Sequence, residues 1–420
     1  MKNYKQRAEN IEARIQELAQ YSDEQDCLSR IFGTKASMAC RDKIAAWMNE
    51  AGLQTYIDNV GNVRGRLLSE MEDAKTFVIA SHYDTVIDAG KYDGPLGILI
   101  GLDLMANLIK EKTDLPFNIE VIAFSDEEGV RFHTAYLGSK VVAGNFKEEL
   151  LQTKDDNGIS LEEVLQDNHY DASQLLQDAI PAEKWLGYYE IHIEQGPLLY
   201  KDDIAAGIVT AIIGQRRITI EFTGEAGHAG TVPMKMRKDA LCAAAEFVLA
   251  VERYASAKKS NIVATVGKID VQHAASNVIP GKVTCSLDIR SGSKKKLSKA
   301  YQEINELCED ICTFRKVYFD WKLIQENNSV TCDDKLVKLL KKSIKQKEME
   351  VVEMESGAGH DAIEISAVAP VSMLFVKCFE GISHSPLEKV ETKDIATALD
   401  ISDNFIGHLI QSVTKSAEKE

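Results

Sequence analysis

The sequence predicts an α/β protein in which one α/β domain is interrupted by an inserted α+β domain of βαββαβ order. Three observations carry that expectation. Two short apolar runs, "TFVIASH" and "FNIEVIAFSDEE", each stop abruptly in polar residues. A segment of helical length and period, "PLGILIGLDLMANLIKE", lies between them and suggests a βαβ unit. The texture then changes between residues 213 and 328 and changes back afterwards. A chain of 420 residues has room for two such cores.

Taken in order, residues 4–20 and 36–52 carry helical apolar spacing, and "IDNVGNVRGRLL" reads as a hairpin. After the βαβ unit comes a polar stretch near 151–185 with a capping-box start, "SLEE", at Ser160 and Glu163. In the inserted segment "RRITIEFTG" alternates, "RKDALCAAAEFVLAVERYA" is helical, and "NIVATVGKIDV" and "KVTCSLDIR" read as strands. A second helix, "KKLSKAYQEINELCEDIC", and a strand, "KVYFDWKLI", complete the order. "DDKLVKLLKKSIKQ", "APVSMLFVK" and a helix from about 392 return to the outer domain. The expected boundaries are 1–212 and 329–420 for the outer domain and 213–328 for the insert.

Lys+Arg 49 against Asp+Glu 65 gives a net charge of -16. That balance argues against nucleic acid or anionic membrane as a partner, since both call for a basic footprint. The start, "MKNYKQRAENIEARIQ", has no apolar core of the signal-peptide kind, and the longest apolar stretch is interrupted by Asp103. Eight cysteines are scattered without C-x-x-C pairs, and Cys308 and Cys312 share a helix face as buried free thiols, which fits a reducing cytoplasm.

The chemistry gathers where strands are predicted to end: His82, Asp84, Asp93, Glu127, Glu128, His192, Glu194 and His384. In open α/β sheets ligands bind at that edge. Any one of these histidines alone reads as an ordinary hydrogen-bonded residue, and "SDEEG" alone as a solvated acidic loop. Together, imidazoles and carboxylates converging from separate strands suit a divalent ion such as Zn²⁺, Mn²⁺, Co²⁺ or Ni²⁺. A carboxylate shared between two ions would account for so many ligands. Asp93 precedes Gly94 and Pro95, which force a turn before a helix, and Asp84 is placed to accept the other ring N–H of His82. Adjacent strand residues point to opposite faces, so Glu127 and Glu128 reach one site only if the chain turns there, which Gly129 permits. One carboxylate then ligates while its neighbour acts as general base.

"SHYDTVIDAGKYDGPLGI", "VIAFSDEEGVRF", "IHIEQGPLL", "GEAGHAGTVPM", "SNVIPGKVTCSLDIR", "SGAGHDA" and "EGISHSP" together resemble the amidohydrolase branch of the aminoacylase/carboxypeptidase-type metallopeptidase superfamily. That branch holds allantoate amidohydrolases, N-carbamoyl-L-amino acid hydrolases and β-ureidopropionases, and the resemblance spans about residues 20–410. It implies a dinuclear-metal catalytic domain of the zinc-peptidase type with an inserted dimerisation and lid domain. It further implies two divalent ions per subunit, His82 and His192 on one, Glu128 and His384 on the other, with Asp93 bridging. Glu127 would be the general base and Asp84 the partner of His82. His228, Asn277 and Arg290 match positions that meet substrate on closure, His228 as an added donor to the developing oxyanion. Gln195 and Arg216 are further candidates for substrate contact. The implied substrate is a small ureido acid and the implied assembly a homodimer. "VIDAGKYDG" is most similar to allantoate amidohydrolases, so the expected reaction takes allantoate to ureidoglycine, ammonia and carbon dioxide. "GEAGHAGTVPM" with "LGSKVVAG" keeps N-carbamoyl-L-amino acid hydrolysis as the alternative. A relative that only binds a ligand would not need Glu127.

Overall fold

The computed structural model describes residues 3–257 and 262–417. It divides into two compact units, Met1–Thr210 with Cys332–Glu420, and Ala211–Thr331. In chain order the strands are β1 (Gln54–Ile57), β2 (Val63–Leu67), β3 (Thr76–His82), β4 (Asn118–Phe124), β5 (Trp185–Ile193) and β6 (Ala206–Ile212). They continue as β7 (Gly214–Thr223), β8 (Gly227–His228), β9 (Val263–Val271), β10 (Val278–Ile279), β11 (Lys282–Ser291) and β12 (Tyr318–Asn327). The last three are β13 (Val330–Thr331), β14 (Glu353–Ser356) and β15 (Val371–Val376).

The outer unit is built on a sheet of order β1-β2-β4-β3-β5-β15-β6-β13, with β14 pairing β6. β4, β3, β5 and β15 are parallel neighbours, while β2 and β6 join antiparallel on either side. The parallel strands are near-continuous apolar runs because both their faces are covered. The helix Pro95–Glu111 makes the crossover from β3 to β4, and it packs on β3, β4 and β5 with its first three turns buried. The helices Tyr4–Leu18 and Thr392–Ala417 pack against each other and against this helix. The expected hairpin is β1–β2, and the first two helices, Tyr4–Leu18 and Lys35–Glu50, start and stop within two residues of expectation. The capping box forms: Ser160 Oγ accepts from Glu163 N at 3.2 Å, and Glu163 Oε2 accepts from Ser160 N at 2.7 Å. β6, which runs antiparallel beside β15, is a strand the sequence reading did not single out.

The inserted unit carries an antiparallel sheet of order β12-β7-β11-β9 with the helices Ala240–Ser256 and Lys294–Arg315 packed on it. Burial alternates residue by residue along β11, so one face is covered and the other is not. Ile218, Ile220 and Phe222 of β7 meet Phe247, Leu297 and Ile304 of the helices in one core. Cys285, Cys308 and Cys312 lie in that core as free thiols. Beyond the Thr223–Lys282 end, the short pair β8–β10 prolongs the β7–β11 ladder with a one-residue offset. No helix among the described residues is long and apolar enough to cross a membrane.

Candidate metal centre

The ligand set of the outer unit begins with strand register. Ala80 of β3 pairs with Glu190 of β5, which sets His82 level with His192 at the carboxyl ends of adjacent parallel strands. Their rings stack at 5.6 Å between centroids, and their Nε2 atoms stand 3.4 Å apart. Asp93 reaches them from the turn after β3. Gly94, at φ +83, makes that turn possible, since a Cβ there would sit 2.4 Å from the His82 carbonyl oxygen. Asp93 Oδ1 lies 3.5 Å from His82 Nε2 and 3.0 Å from His192 Nε2. Its other oxygen, Oδ2, lies 3.3 Å from His384 Nε2, which is 3.4 Å from Glu128 Oε1. One carboxylate therefore faces two donor sets, His82–Asp93–His192 and Asp93–Glu128–His384. A third grouping, His82–Glu127–Glu128, overlaps both.

These donors fit a cation. His82 Nδ1 faces the Asp84 carbonyl oxygen at 3.1 Å and Asp84 Oδ1 at 3.3 Å, and His192 Nδ1 faces the Ile193 carbonyl oxygen at 2.9 Å. Each Nδ1 meets only acceptors and so carries the ring hydrogen, leaving both Nε2 lone pairs aimed toward Asp93 Oδ1. That oxygen is buried and accepts no hydrogen bond. Three electron-pair donors around one point need a positive charge between them. Without a metal, protons supply it. Burial opposes the charge on His82, but Asp84 and Asp93 hold its pKa well above the usual imidazole range. Burial likewise opposes and Asp93 raises His192, and hydrogen bonding to Asp93 lifts His384 to about 9. Burial, then Asp93, pushes Glu128 up to about 7, and burial holds Glu127 well above the carboxylate range despite His82.

Asp84 does more than face His82. Its carboxylate accepts from Glu127 N at 2.9 Å and Glu128 N at 3.1 Å, and so fixes the turn that presents both glutamates. Gly129, at φ +64, completes that turn. β3 ends at His82, so Asp84 is placed by the loop that follows and not by a strand face. Gln195 donates from Nε2 to Asp93 Oδ2 at 2.8 Å, as does Ser383 Oγ at 2.8 Å. The cleft over these groups has a volume of about 150 Å³ and is lined also by Tyr136 and Gly359. A larger groove, about 690 Å³, lies by Tyr56, Arg66 and Lys184. Its charges are already spent on the Arg64–Glu120 and Lys184–Asp73 pairs.

The sequence reading passed over Ser383 and Glu388. Glu388 Oε1 accepts from Tyr92 N at 2.7 Å and Asp93 N at 3.1 Å, and its Oε2 accepts from Ser383 Oγ at 3.0 Å. A glutamate four residues after His384 was the available signal. His360, in "SGAGHDA", lies buried edge-on to His192 with Nε2 2.8 Å from Ser356 Oγ. Glu194 leaves the ligand set, because its carboxylate caps Leu198 N and Leu199 N at 2.9 and 2.8 Å.

The remaining candidates belong to the inserted unit. β8 and β10 bring His228 beside Asn277, both exposed, with Ala229 N donating to the Asn277 carbonyl oxygen at 2.9 Å. His228 Nδ1 accepts from Gly230 N at 3.1 Å. Arg290, on the uncovered face of β11, sends Nε and a terminal nitrogen to the Asp288 carboxylate at 3.0 and 3.2 Å. Arg216 corrects an expectation. It shares the parity of Ile218 and Phe222, so it faces the helices, pairs with Glu326 and lies 4.7 Å over the Tyr301 ring.

A family model described as peptidase family M20/M25/M40 matches residues 78–408. Allantoate deiminase 1 of Glycine max is 39% identical over 418 residues, covering 92% of this chain and 86% of that protein. An N-carbamoyl-L-amino-acid amidohydrolase of Pseudomonas sp. (strain NS671) is 34% identical over 406 residues, covering 96% and 98%. The crystal structure of a hydantoinase/carbamoylase-family amidase from Burkholderia multivorans superimposes with a TM-score of 0.85 at 31% identity, covering 95% of this chain and 96% of that one.

Proposed function

Because the chain belongs to peptidase family M20/M25/M40 and is a metal-dependent amidohydrolase, we propose that it hydrolyses a linear ureido C–N bond, with allantoate as its substrate. The observation that carries the reading is Asp93, whose two oxygens serve two donor sets beside a buried glutamate that is free to act as a base. His82 and His192 would hold one ion and Glu128 and His384 the other, with Asp93 common to both. Bound there, divalent ions, Zn²⁺ or Mn²⁺ with Co²⁺ or Ni²⁺ also suited to the donors, would polarise the ureido carbonyl and acidify water.

Glu127 takes the proton of the attacking water and returns it to the leaving nitrogen. Its raised pKa suits a group that must hold that proton between the two transfers. Asp84 keeps the His82 hydrogen on Nδ1 and the two glutamates in register. Ammonia and carbon dioxide leave and ureidoglycine remains.

Arg290 pairs the substrate carboxylate, and His228 and Asn277 contact the ureido group. On this reading Arg290 and the His228–Asn277 pair serve one substrate from different chains. Arg290 lies eight residues from Lys282 along β11, about 26 Å at the usual strand rise, and the β8–β10 pair lies beyond Lys282. The reading is thus of a homodimer joined through the inserted unit, with His228 and Asn277 acting in the partner's site. N-carbamoyl-L-amino acid hydrolysis is the second reading, favoured by the Pseudomonas relative. Ammonia release from allantoate, N-carbamoyl amino acids and β-ureidopropionate, measured in parallel with added Mn²⁺, decides between them. Faster turnover of a carbamoyl amino acid than of allantoate would overturn the first reading, and no turnover of any would leave a ligand-binding relative.

A further inference from the structure

In the cleft beside the ligand set, one residue holds a conformation its type avoids. Tyr136 has φ 67 and ψ 31, the left-handed region, at the start of the helix Leu137–Val142. Such a backbone is strained for a bulky residue, and tertiary contacts must hold it there. They do: Tyr136 N donates to the carbonyl oxygen of Glu127 at 3.0 Å, and Leu137 N to that of Asp126 at 2.9 Å. The loop that carries the base is thus tied to the loop that carries the phenol. The ring leans on Gly359 so closely that a Cβ on that glycine would stand 1.8 Å from the tyrosine oxygen.

The hydroxyl has no hydrogen-bond partner among the described residues, although the side chain lines the cleft with Glu127, His192 and Gln195. A phenol keeps its hydrogen at neutral pH and so can donate. Gln195 offers the converse: its Nε2 is taken by Asp93, while its Oε1 is buried and accepts nothing. Among the polar side chains that line the cleft, the Tyr136 hydroxyl is thus an unspent donor and Gln195 Oε1 an unspent acceptor, and the others are the carboxylates and imidazoles of the candidate metal centre. A ureido group brings the matching pair, a carbonyl oxygen and N–H groups.

We infer that the Tyr136 hydroxyl donates to the ureido oxygen of the substrate within this cleft, a contact that tightens as charge grows on that oxygen. The inference rests on the ureido reading above. The test is Tyr136→Phe, which removes the oxygen and keeps the ring against Gly359. With metal content equal to wild type by elemental analysis, kcat should fall about 10²-fold, as for loss of one oxyanion donor, while KM stays within about threefold. A kcat within twofold of wild type, or a loss carried wholly by KM, overturns the inference. If wild type turns over no ureido acid, it is the ureido reading that has failed. Calorimetric binding of acetohydroxamate, a carbonyl-bearing metal ligand, then decides the residue's role: about tenfold weaker binding by the Phe variant supports the contact, and binding within twofold overturns it.

Discussion

In the outer unit, His82, Asp93 and His192 are 1, 5 and 2% exposed, and the atoms around their donor points are held by Asp84, Gln195, Ser383 and Glu388. In the inserted unit, His228 and Asn277 stand in solvent, and Arg290 is half-buried against its strand neighbour Asp288. The first region holds its donors buried within one unit; the second leaves His228 and Asn277 exposed on its own surface. Metal ligands must be preorganised, because stray geometry costs affinity, whereas groups that grip a substrate on closure must stay apart until then.

The sharpest way to break this contrast is Asp93→Ala. Both ions should be lost together and turnover with them, as judged by elemental analysis of the purified variant; one full equivalent retained would show that the carboxylate is not shared. Glu127→Gln should keep its metal and lose at least ~10²-fold in kcat, the scale of a missing general base, and loss of metal would make Glu127 a ligand instead. The meeting of the two regions is tested by mixing inactive His228→Ala with inactive Glu127→Gln protomers. After verified subunit exchange, about a quarter of wild-type activity should return, half the dimers being mixed and each holding one whole site. No recovery would mean that each chain builds its own site.

Arg290→Lys keeps the charge and loses the fork, so kcat/KM should drop by about 1.5–3 kcal/mol with metal content unchanged. An amide of the substrate that lacks the carboxylate should show little further loss, and an equal loss on both would detach Arg290 from the carboxylate. The smallest effect concerns the metal-free protein. The Glu128 carboxyl releases its proton near 4.5 when unfolded and about 7 when folded, so stability is lost as pH rises through that window. His384 rises from 6.5 to about 9, which stabilises at low pH and is lost as pH climbs through the folded value. Both act in the same direction, so the Tm of chelator-treated protein should fall between pH 5 and pH 9. Metal-loaded protein, in which ions replace those protons, should not follow it; a parallel decline in both forms would place the sensitivity elsewhere.

The clustering of donors was legible because parallel strands advertise where they stop: the apolar run of "TFVIASH" ends at His82, which lies among the groups that could hold a metal. Glu388 was not legible, because its work is done on the backbone N–H groups of Tyr92 and Asp93, far away in sequence, and no local pattern announces such a contact. Arg216 was misjudged although its parity with Ile218, Ile220 and Phe222 was there to be counted. Glu194 shared parity with His192, but β5 ends at Ile193, so the alternation no longer applied. The Tyr136 backbone is a tertiary outcome, invisible to propensity.

The position of β15 in the outer sheet has a consequence for how the protein is made. It lies between β5 and β6, both of which precede the insert, so it fills a central place in the sheet from the far end of the chain. A nascent chain that has delivered His192 must still emit the whole of Ala211–Thr331 before Val371–Val376 can complete the sheet and His384 can close the ligand set. At about 5–20 residues per second that is a wait of roughly 10–40 seconds. During it the inserted unit, whose strands are all in hand by Asn327, can fold first. The apolar flank of β5 stays uncovered meanwhile, which makes this interval on the ribosome, more than any moment in the finished enzyme, the time when the chain most needs a chaperone.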